Sequence, residues 1–329
     1  MLPAPADVLA AAHRLRGVID RTPLVHSSAL SESLGIDVYL KCEFRQRTGS
    51  FKLRGAYNAL ATLPPDARAR GIVASSAGNH GLGVAHSARL LGLRARIFVP
   101  SSAPAVKRDG IRALGAEVDE SQPDYDAAHE AAVAFGAKTG MTFVNPCAGA
   151  PLLAGQGTVA LEILEELPNV RTLIVPVGGG GLVGGMAALV RAVSPHTRII
   201  GAQTELTDAM AVSLAAGHRV EVEVVPTLAD GLAGQVDEEG LEIGRYAIDE
   251  MRVVSETAVA ASIAWLARAH DARVEGSGAV GVAAARASSG LEGPVAIVVT
   301  GGNIDVARWR SVIARVSSLD ANDSGAAPA

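Results

Sequence analysis

A lysine near the start of a predicted helix is the first residue whose position indicates chemistry. Lys52 lies in the stretch Thr48-Gly49-Ser50-Phe51-Lys52-Leu53-Arg54-Gly55, where Ser50 is a residue type that caps helices. A helix over 50–63 would put Lys52 in its first turn, where the positive end of the helix dipole and Arg54 both disfavour the ammonium form. We expect a nucleophilic amine able to form a Schiff base, with a solvated lysine on a helix face as the alternative.

The second candidate is a run of four glycines, Gly178, Gly179, Gly180 and Gly181. The run follows a strand-like segment over 172–177 and precedes an apolar helical segment. Bare backbone N–H groups in such a turn can surround a phosphate at the start of a helix. The stretch also fits the G-x-G-x-x-G pattern, with Glu205 about 20 residues further on. A nicotinamide-dependent oxidoreductase and a plain tight turn therefore stay open as alternatives.

Two further strand ends carry small and polar residues. The first consists of Ser75, Ser76, Ala77, Gly78, Asn79 and His80. Backbone N–H groups there can bind a substrate carboxylate at a helix start, although a capping loop fits equally well. The second begins at Thr300 after a strand over 295–299, which puts a hydroxyl and two glycines at the carboxyl edge of a sheet.

The elements that must position these residues alternate along the chain. Strand-like runs lie at 72–74, 95–99, 172–177, 198–202 and 295–299, and helical runs lie at 50–63, 81–91, 105–114, 124–139, 155–166, 182–193, 257–269 and 279–288. This alternation predicts an α/β fold with parallel sheets. We expect a small domain over 71–146, inserted into a large domain made of 1–70 and 147–318, and a flexible tail over 319–329.

Composition excludes several kinds of protein. The chain has 329 residues, which at about 150 residues per domain predicts two domains. Its formal net charge of −5 leaves no basic field for nucleic acid or an anionic membrane. Cys42 and Cys147 form no CxxC pair, and charged residues interrupt the N-terminal apolar stretch. We therefore expect a cytoplasmic protein without disulfides, membrane span or nucleic-acid partner.

Together the candidate segments resemble one enzyme family. The motifs are Lys41-Cys42-Glu43 with Gln46, TGSFKLRGA at 48–56, SAGNHG at 76–81, AGQGT at 154–158, PVGGGG at 176–181, TLADG at 227–231 and TGGNID at 300–305. In type and order they are similar to those of threonine and serine dehydratases (threonine ammonia-lyases), which are fold-type-II pyridoxal-phosphate enzymes related to serine racemase. The resemblance implies a two-domain α/β enzyme of the tryptophan synthase β type, with parallel or mixed sheets flanked by helices, assembled as a homodimer or homotetramer.

The resemblance also implies a role for each candidate segment. Lys52 would hold pyridoxal 5'-phosphate and remove the Cα proton, Phe51 would pack against the cofactor, and Asn79 would hydrogen-bond its phenolic oxygen. Residues 178–181 would bind the phosphate, and Thr300 would meet the pyridine nitrogen. The loop over 75–80 would take the substrate carboxylate. The implied reaction eliminates the β-hydroxyl of L-threonine, L-serine or a related amino acid to give a 2-oxo acid and ammonia.

Three departures from the family pattern refine this expectation. Ala77 stands where serine racemases have a serine that exchanges a proton on the face opposite the lysine, so a dehydratase is favoured and a racemase is the alternative. Gln203 and Ala209 stand where serine racemases have two acidic metal ligands, so we expect no metal. Residues 145–149 lack the acidic side chain that relatives usually have near the substrate entrance.

Overall fold

The computed structural model describes residues 2–103 and 105–324 and divides into two compact units. Unit 1 comprises the chain up to Arg21, Gln46–Glu162 and Gly184–Val193. Unit 2 comprises Thr22–Arg45, Ile163–Val183 and the chain from Ser194 onward. The domain limits at 71, 146 and 318 stay a prediction from the sequence.

The described residues form helices and strands in alternation. The strands are β1 (Leu24–His26), β2 (Val38–Lys41), β3 (Ile72–Ser75), β4 (Ala95–Pro100), β5 (Glu117–Gln122), β6 (Thr142–Phe143), β7 (Thr172–Pro176), β8 (Arg198–Thr204), β9 (Glu250–Val254) and β10 (Val295–Val298). The helices are α1 (Pro5–Leu15), α2 (Ser28–Leu34), α3 (Lys52–Ala61), α4 (Pro65–Arg70), α5 (Asn79–Leu91), α6 (Ala105–Ala113), α7 (Tyr125–Thr139), α8 (Ala150–Glu166), α9 (Gly181–Val193), α10 (Ala209–Ala216), α11 (Glu238–Ala247), α12 (Glu256–His270), α13 (Gly276–Arg286) and α14 (Val306–Ser324).

Unit 2 contains a six-stranded sheet with the order β1-β2-β10-β7-β8-β9. β1 runs antiparallel to β2, and the other neighbouring pairs are parallel, so the sheet is mixed. β7 and β10 are adjacent, with Ile174 opposite Ile297. Their carboxyl ends therefore lie side by side at one edge of the sheet, where ligands bind in open α/β folds.

A helix made almost entirely of small residues fills the core of unit 2. The sequence of α13 is GSGAVGVAAAR, and its residues from Gly276 to Ala285 are buried. A Cβ on Gly281 would lie 2.9 Å from Cγ2 of Ile297, so the helix backbone packs directly against β10. The small side chains are what allow this close approach of helix and sheet.

Unit 1 contains a four-stranded sheet with the order β5-β4-β3-β6, in which all strands are parallel. Helix α7 covers β3 and β4 through an apolar cluster that includes Val73, Phe98 and Ala132. β3 ends at Ser75, and α5 begins four residues later. The loop over 75–80 is therefore the connection from a buried strand to a helix start.

Glycines let three helices of unit 1 touch through their backbones. A Cβ on Gly83 of α5 would lie 3.2 Å from the carbonyl carbon of Lys52 at the start of α3. A Cβ on Gly155 of α8 would lie 2.4 Å from the Arg54 carbonyl oxygen and 2.6 Å from Cα of Gly55. Backbone contact on two sides thus fixes the first turns of α3.

The five predicted strands and eight predicted helices are all present, with ends that differ by a few residues. The main correction concerns Ser50. Helix α3 begins at Lys52 with Phe51 as its N-cap and no side-chain cap, and Ser50 Oγ is buried without a hydrogen-bond partner among the described residues. The turn is held by packing against Gly83 of α5 instead of by a capping hydroxyl. At the other end of the chain, α14 extends to Ser324 over the first part of the expected tail, and residues 325–329 lie outside the described residues.

We predict that Gly155→Ala destabilises the protein by about 1–3 kcal/mol, because the new methyl group overlaps the backbone of α3. Gly110→Ala is the matched control. Its Cβ would meet only Cδ2 of Leu82 at an ordinary 3.5 Å, and alanine favours the helix α6. Urea unfolding of the two variants measures the difference. Equal stability of both variants would contradict the packing described here.

Candidate active site

The residues that the sequence analysis assigned to chemistry fall into two groups. Phe51, Lys52 and the loop over 75–80 belong to unit 1, while the glycines at 178–181 and Thr300 belong to unit 2. In each group the residues sit at the start of a helix or directly after a buried strand.

Lys52 lies in the first turn of α3, as predicted, and is the first residue of that helix. Its side chain is half-buried. Its Nζ donates a hydrogen bond to the Pro146 carbonyl oxygen at 2.9 Å. The same Nζ lies 5.2 Å from the ring centroid of Phe51, within the range of a cation–π contact. The amine is therefore held by a backbone acceptor and an aromatic ring.

Arg54, one half-turn after Lys52, forms a buried ion pair that the sequence analysis missed. Its Nη1 and Nη2 donate to Glu162 Oε1 at 2.7 Å and Oε2 at 2.8 Å, and Nη1 also donates to Thr158 Oγ1 at 3.1 Å. Because Glu162 balances this charge, the argument that treated Arg54 as an isolated cation beside Lys52 does not apply to the folded chain. The pair joins residues 108 positions apart, so the local patterns of the sequence do not signal it.

The loop over 75–80 is held by hydrogen bonds within itself and to neighbouring elements. Ser76 N–H donates to the Phe98 carbonyl oxygen at 3.1 Å, and Gly78 N–H donates to Ser76 Oγ at 3.1 Å. Ser75 Oγ lies 3.1 Å from His129 Nδ1. A Cβ on Gly81 would lie 2.1 Å from the Ser76 carbonyl oxygen, which requires glycine there. Two N–H groups of the loop, those of Ser76 and Gly78, therefore already have acceptors.

His80 is buried and neutral. Its Nε2 lies 3.0 Å from the Val144 carbonyl oxygen, and burial, followed by the charge of Lys52, lowers the pKa of the imidazole to about 3. Since a carbonyl oxygen only accepts, the neutral ring is assigned a proton on Nε2, which leaves Nδ1 as an acceptor. Nδ1 is buried and has no hydrogen-bond partner among the described residues.

The glycine loop of unit 2 connects the central strand β7 to α9, which begins at Gly181. Gly180 has φ +90°, a left-handed conformation, and a Cβ there would lie 3.4 Å from the Gly240 carbonyl oxygen. A Cβ on Gly178 would lie 3.3 Å from Cα of Leu232. Backbone N–H groups at the start of α9 lack intrahelical partners and favour an anion. A loop that presents backbone rather than side chains at a helix start fits a phosphate group.

Thr300 follows β10 and is 4% exposed. The start of α13 packs against the next residue, because Glu275 N–H donates to the Gly301 carbonyl oxygen at 3.2 Å. A Cβ on Gly278 would lie 2.6 Å from that oxygen. The Thr300 hydroxyl thus lies at the carboxyl end of β10, the strand next to β7. An uncharged hydroxyl can bond to a ring nitrogen that is itself uncharged.

Two residues named for alternative sites have other roles. Glu205, which the nicotinamide alternative placed about 20 residues after the glycines, accepts a hydrogen bond through Oε1 from Glu256 N–H at 3.1 Å, at the start of α12. Gln203 Oε1 accepts from Ala211 N–H at 2.9 Å in the first turn of α10.

Within residues 2–103 and 105–324, no group of three or more His, Cys, Asp or Glu side chains could hold a metal ion. In the same ranges no helix has the length and apolarity needed to cross a membrane.

Comparison with known proteins decides the family. Residues 15–301 match the family described as pyridoxal-phosphate dependent enzyme. The chain belongs to this family. It is 45% identical to the L-threonine ammonia-lyase of Thermotoga maritima over 91% of this chain and 75% of the relative. Identity to the L-threonine ammonia-lyase of Geobacter sulfurreducens is 44%, over 92% of this chain and 76% of the relative.

Solved structures agree with this family assignment. Maize serine racemase has a TM-score of 0.90 and 31% sequence identity, covering 97% of this chain and 100% of that chain. The family match and this structure confirm the resemblance inferred from the motifs and the α/β fold with parallel and mixed sheets flanked by helices. They also confirm pyridoxal phosphate as the cofactor. The family match excludes the nicotinamide-dependent oxidoreductase that the glycine pattern had left open.

We predict that the free energy of unfolding decreases as the pH falls, because His80 is buried as a neutral imidazole. The pKa of His80 is about 3 in the folded chain, against an ordinary 6.5, so the unfolded chain binds the extra proton between these values. The contribution of the neutral imidazole to the free energy of unfolding is fully present above pH 6.5. It is lost as the pH falls towards 3, by up to about 1.4 kcal/mol per pH unit.

Urea unfolding at pH 7.5 and pH 5 measures this effect in the unmodified protein and in His80→Gln, which cannot titrate. The unmodified protein should lose more stability between the two pH values than the variant does. The same loss in both proteins would contradict the buried, neutral imidazole.

Proposed function

We propose that this pyridoxal-phosphate enzyme is an ammonia-lyase acting on L-threonine, L-serine or a related β-hydroxy amino acid. The observation that carries the proposal is the 44–45% identity to two L-threonine ammonia-lyases over more than nine-tenths of the chain. The substrate loses water in the elimination and takes up water again as ammonia leaves. The products are a 2-oxo acid and ammonia.

The residues present fit the cofactor, and we propose a role for each group. Lys52 would hold the cofactor, with Phe51 packed against it and Asn79 hydrogen-bonded to its phenolic oxygen. Gly178, Gly179, Gly180 and Gly181 would hold the phosphate, and Thr300 would meet the pyridine nitrogen. Bound pyridoxal phosphate acts as an electron sink that makes the Cα proton of an amino acid acidic.

The proton chemistry falls to Lys52. Its Nζ is half-buried and bonded to the Pro146 carbonyl oxygen, so the amine has a defined position from which to take the Cα proton. The substrate carboxylate would bind backbone N–H groups of the loop over 75–80. Because the Ser76 N–H and the Gly78 N–H already donate to the Phe98 carbonyl oxygen and to Ser76 Oγ, we assign that task to other N–H groups of the loop, such as that of Ala77.

We also propose that the enzyme works in the cytoplasm as a homodimer or homotetramer, with neither nucleic acid nor a membrane as its partner. The absence of a disulfide supports a reducing compartment, since Cys42 and Cys147 are both free thiols. The net charge of −5 supports the absence of a nucleic-acid partner. The family resemblance of the motifs supports the oligomer.

We predict that borohydride reduction of the holoenzyme places a pyridoxyl group on Lys52. The sequence offers three other lysines for comparison, Lys41, Lys107 and Lys138. Lys41 is fully buried and donates to the Thr22 carbonyl oxygen at 2.6 Å, so it is not available. Peptide mass mapping after reduction identifies the labelled residue. A label on any of the other three lysines would contradict the assignment of Lys52.

Serine racemase is the second candidate function, favoured by the fold similarity to the maize enzyme. Racemisation needs an acid or base on each face of the substrate, whereas elimination can use Lys52 alone. Ala77, which is half-buried in the loop over 75–80, has a methyl group that cannot exchange a proton. This residue favours the lyase.

We predict that the unmodified enzyme converts L-serine to 2-oxo acid with negligible D-serine, and that Ala77→Ser adds some D-serine by supplying a hydroxyl. Chiral chromatography of the residual amino acid during turnover measures the ratio. Ala77→Gly is the matched control, because it changes the side chain without adding a hydroxyl. Formation of D-serine by the unmodified enzyme at the rate of 2-oxo acid formation would establish the racemase instead.

A further inference from the structure

One three-residue segment accepts hydrogen bonds from both Lys52 and His80. The Val144 carbonyl oxygen lies 3.0 Å from His80 Nε2, and the Pro146 carbonyl oxygen accepts from Lys52 Nζ at 2.9 Å. The segment follows β6 and precedes α8, and all of these residues belong to unit 1. The position of the Lys52 amine is therefore linked, through the backbone between these two carbonyl groups, to a buried imidazole.

The segment is fixed at both ends. Val144 N–H donates to the Val73 carbonyl oxygen at 2.8 Å, which continues the pairing of β6 with β3. At the other end, Asn145 Oδ1 accepts from Cys147 N–H at 2.8 Å and from Ala148 N–H at 2.9 Å. The N–H of the peptide group that carries the Pro146 carbonyl belongs to Cys147 and already donates to Asn145 Oδ1, so this group offers the amine its carbonyl oxygen. His80 adds a side-chain donor to the Val144 carbonyl group.

The chemistry of His80 suits a fixed hydrogen bond. The ring is neutral because it is buried, and Nε2 carries the proton that the Val144 carbonyl oxygen requires. Its Nδ1 is a buried acceptor without a partner among the described residues, which destabilises the folded chain. An apolar side chain of similar size would avoid that penalty, so packing alone does not explain a histidine at this position.

We propose that His80 is a positioning residue for the Lys52 amine and acts through the segment Val144–Pro146. The inference rests on the proposed role of Lys52 in holding the cofactor and taking the Cα proton. A lysine side chain has four rotatable bonds, and proton transfer needs its nitrogen within hydrogen-bond distance of the substrate. By fixing the Val144 carbonyl group, His80 holds the Pro146 carbonyl oxygen where it orients Nζ.

The test compares His80→Gln with His80→Leu. A glutamine carries its amide nitrogen the same number of bonds from Cβ as the histidine Nε2, so it can still donate to Val144. Leucine fills the space without a donor. His86→Leu is the control, since His86 lies on the same helix, is half-buried and contacts Arg89 instead of the segment.

We expect His80→Leu to lower kcat by about 10- to 100-fold with less than about a threefold change in KM, because the amine is misplaced while substrate contacts remain. His80→Gln should stay within about threefold of the unmodified enzyme in kcat, and His86→Leu should be unchanged. A His80→Gln variant as slow as His80→Leu would show that ring packing matters and would overturn the proposal.

A second readout does not depend on turnover. The full-length chain is stripped of cofactor, pyridoxal phosphate is added, and the rate at which the absorbance of bound cofactor returns is measured. His80→Leu should recover at least about tenfold more slowly than the unmodified chain, and His80→Gln at nearly the normal rate. Equal rates for all three chains would overturn the proposal.

Two further arms keep the test decisive. If His80→Leu does not fold, Asn145→Ala takes its place, because it loosens the other end of the segment. Slower recovery of cofactor absorbance in that variant supports the proposal, and an unchanged rate overturns it.

Borohydride labelling of the unmodified enzyme separates this inference from the proposed function. Label on Lys52 with unaffected variants refutes the positioning role alone, whereas label elsewhere refutes the role of Lys52 itself.

Discussion

A guanidinium group without solvent exposure holds together the part of unit 1 that carries Lys52. Arg54 is 0% exposed, and the cost of burying its charge is offset because Glu162 takes two of its N–H groups and Thr158 a third. Both acceptors lie on α8, while Arg54 lies on α3 two residues after Lys52. The ion pair therefore ties α3 to α8 beside the turn that presents the amine. Removing either charged partner would leave an uncompensated buried charge.

The rest of the candidate site is built mainly from backbone atoms. Gly155 lets α8 approach α3 closely enough for that ion pair to form, and Gly83 brings α5 against the first turn of α3. In unit 2, the glycines that follow β7 add no side chains of their own at the start of α9. Even the Lys52 amine is oriented by a carbonyl oxygen, that of Pro146. Backbone groups held by packed elements give fixed hydrogen-bond directions, which is what a cofactor enzyme must supply.

Much of this arrangement could be predicted because it is local in the sequence. Apolar runs that end in glycine or a small polar residue marked the loops after β3, β7 and β10, and the helix that begins at Lys52 followed from its motif. The Arg54–Glu162 pair joins residues 108 positions apart, so no local pattern could predict it. The carbonyl groups of Val144 and Pro146 have no residue-type signature at all. At Ser50 the local pattern predicted a cap that the structure does not have. Packing against Gly83 holds the start of α3 instead.

The central claim is that this pyridoxal-phosphate enzyme eliminates water from a β-hydroxy amino acid and releases ammonia. The most direct measurement incubates the purified holoenzyme with L-threonine and quantifies 2-oxobutanoate, ammonia and remaining threonine in the same samples. We predict that one 2-oxobutanoate and one ammonia appear for each threonine consumed, and that both cease when the cofactor is removed and resume when it is restored. Loss of L-threonine to its epimer without 2-oxobutanoate, or no turnover of any β-hydroxy amino acid, would contradict the account.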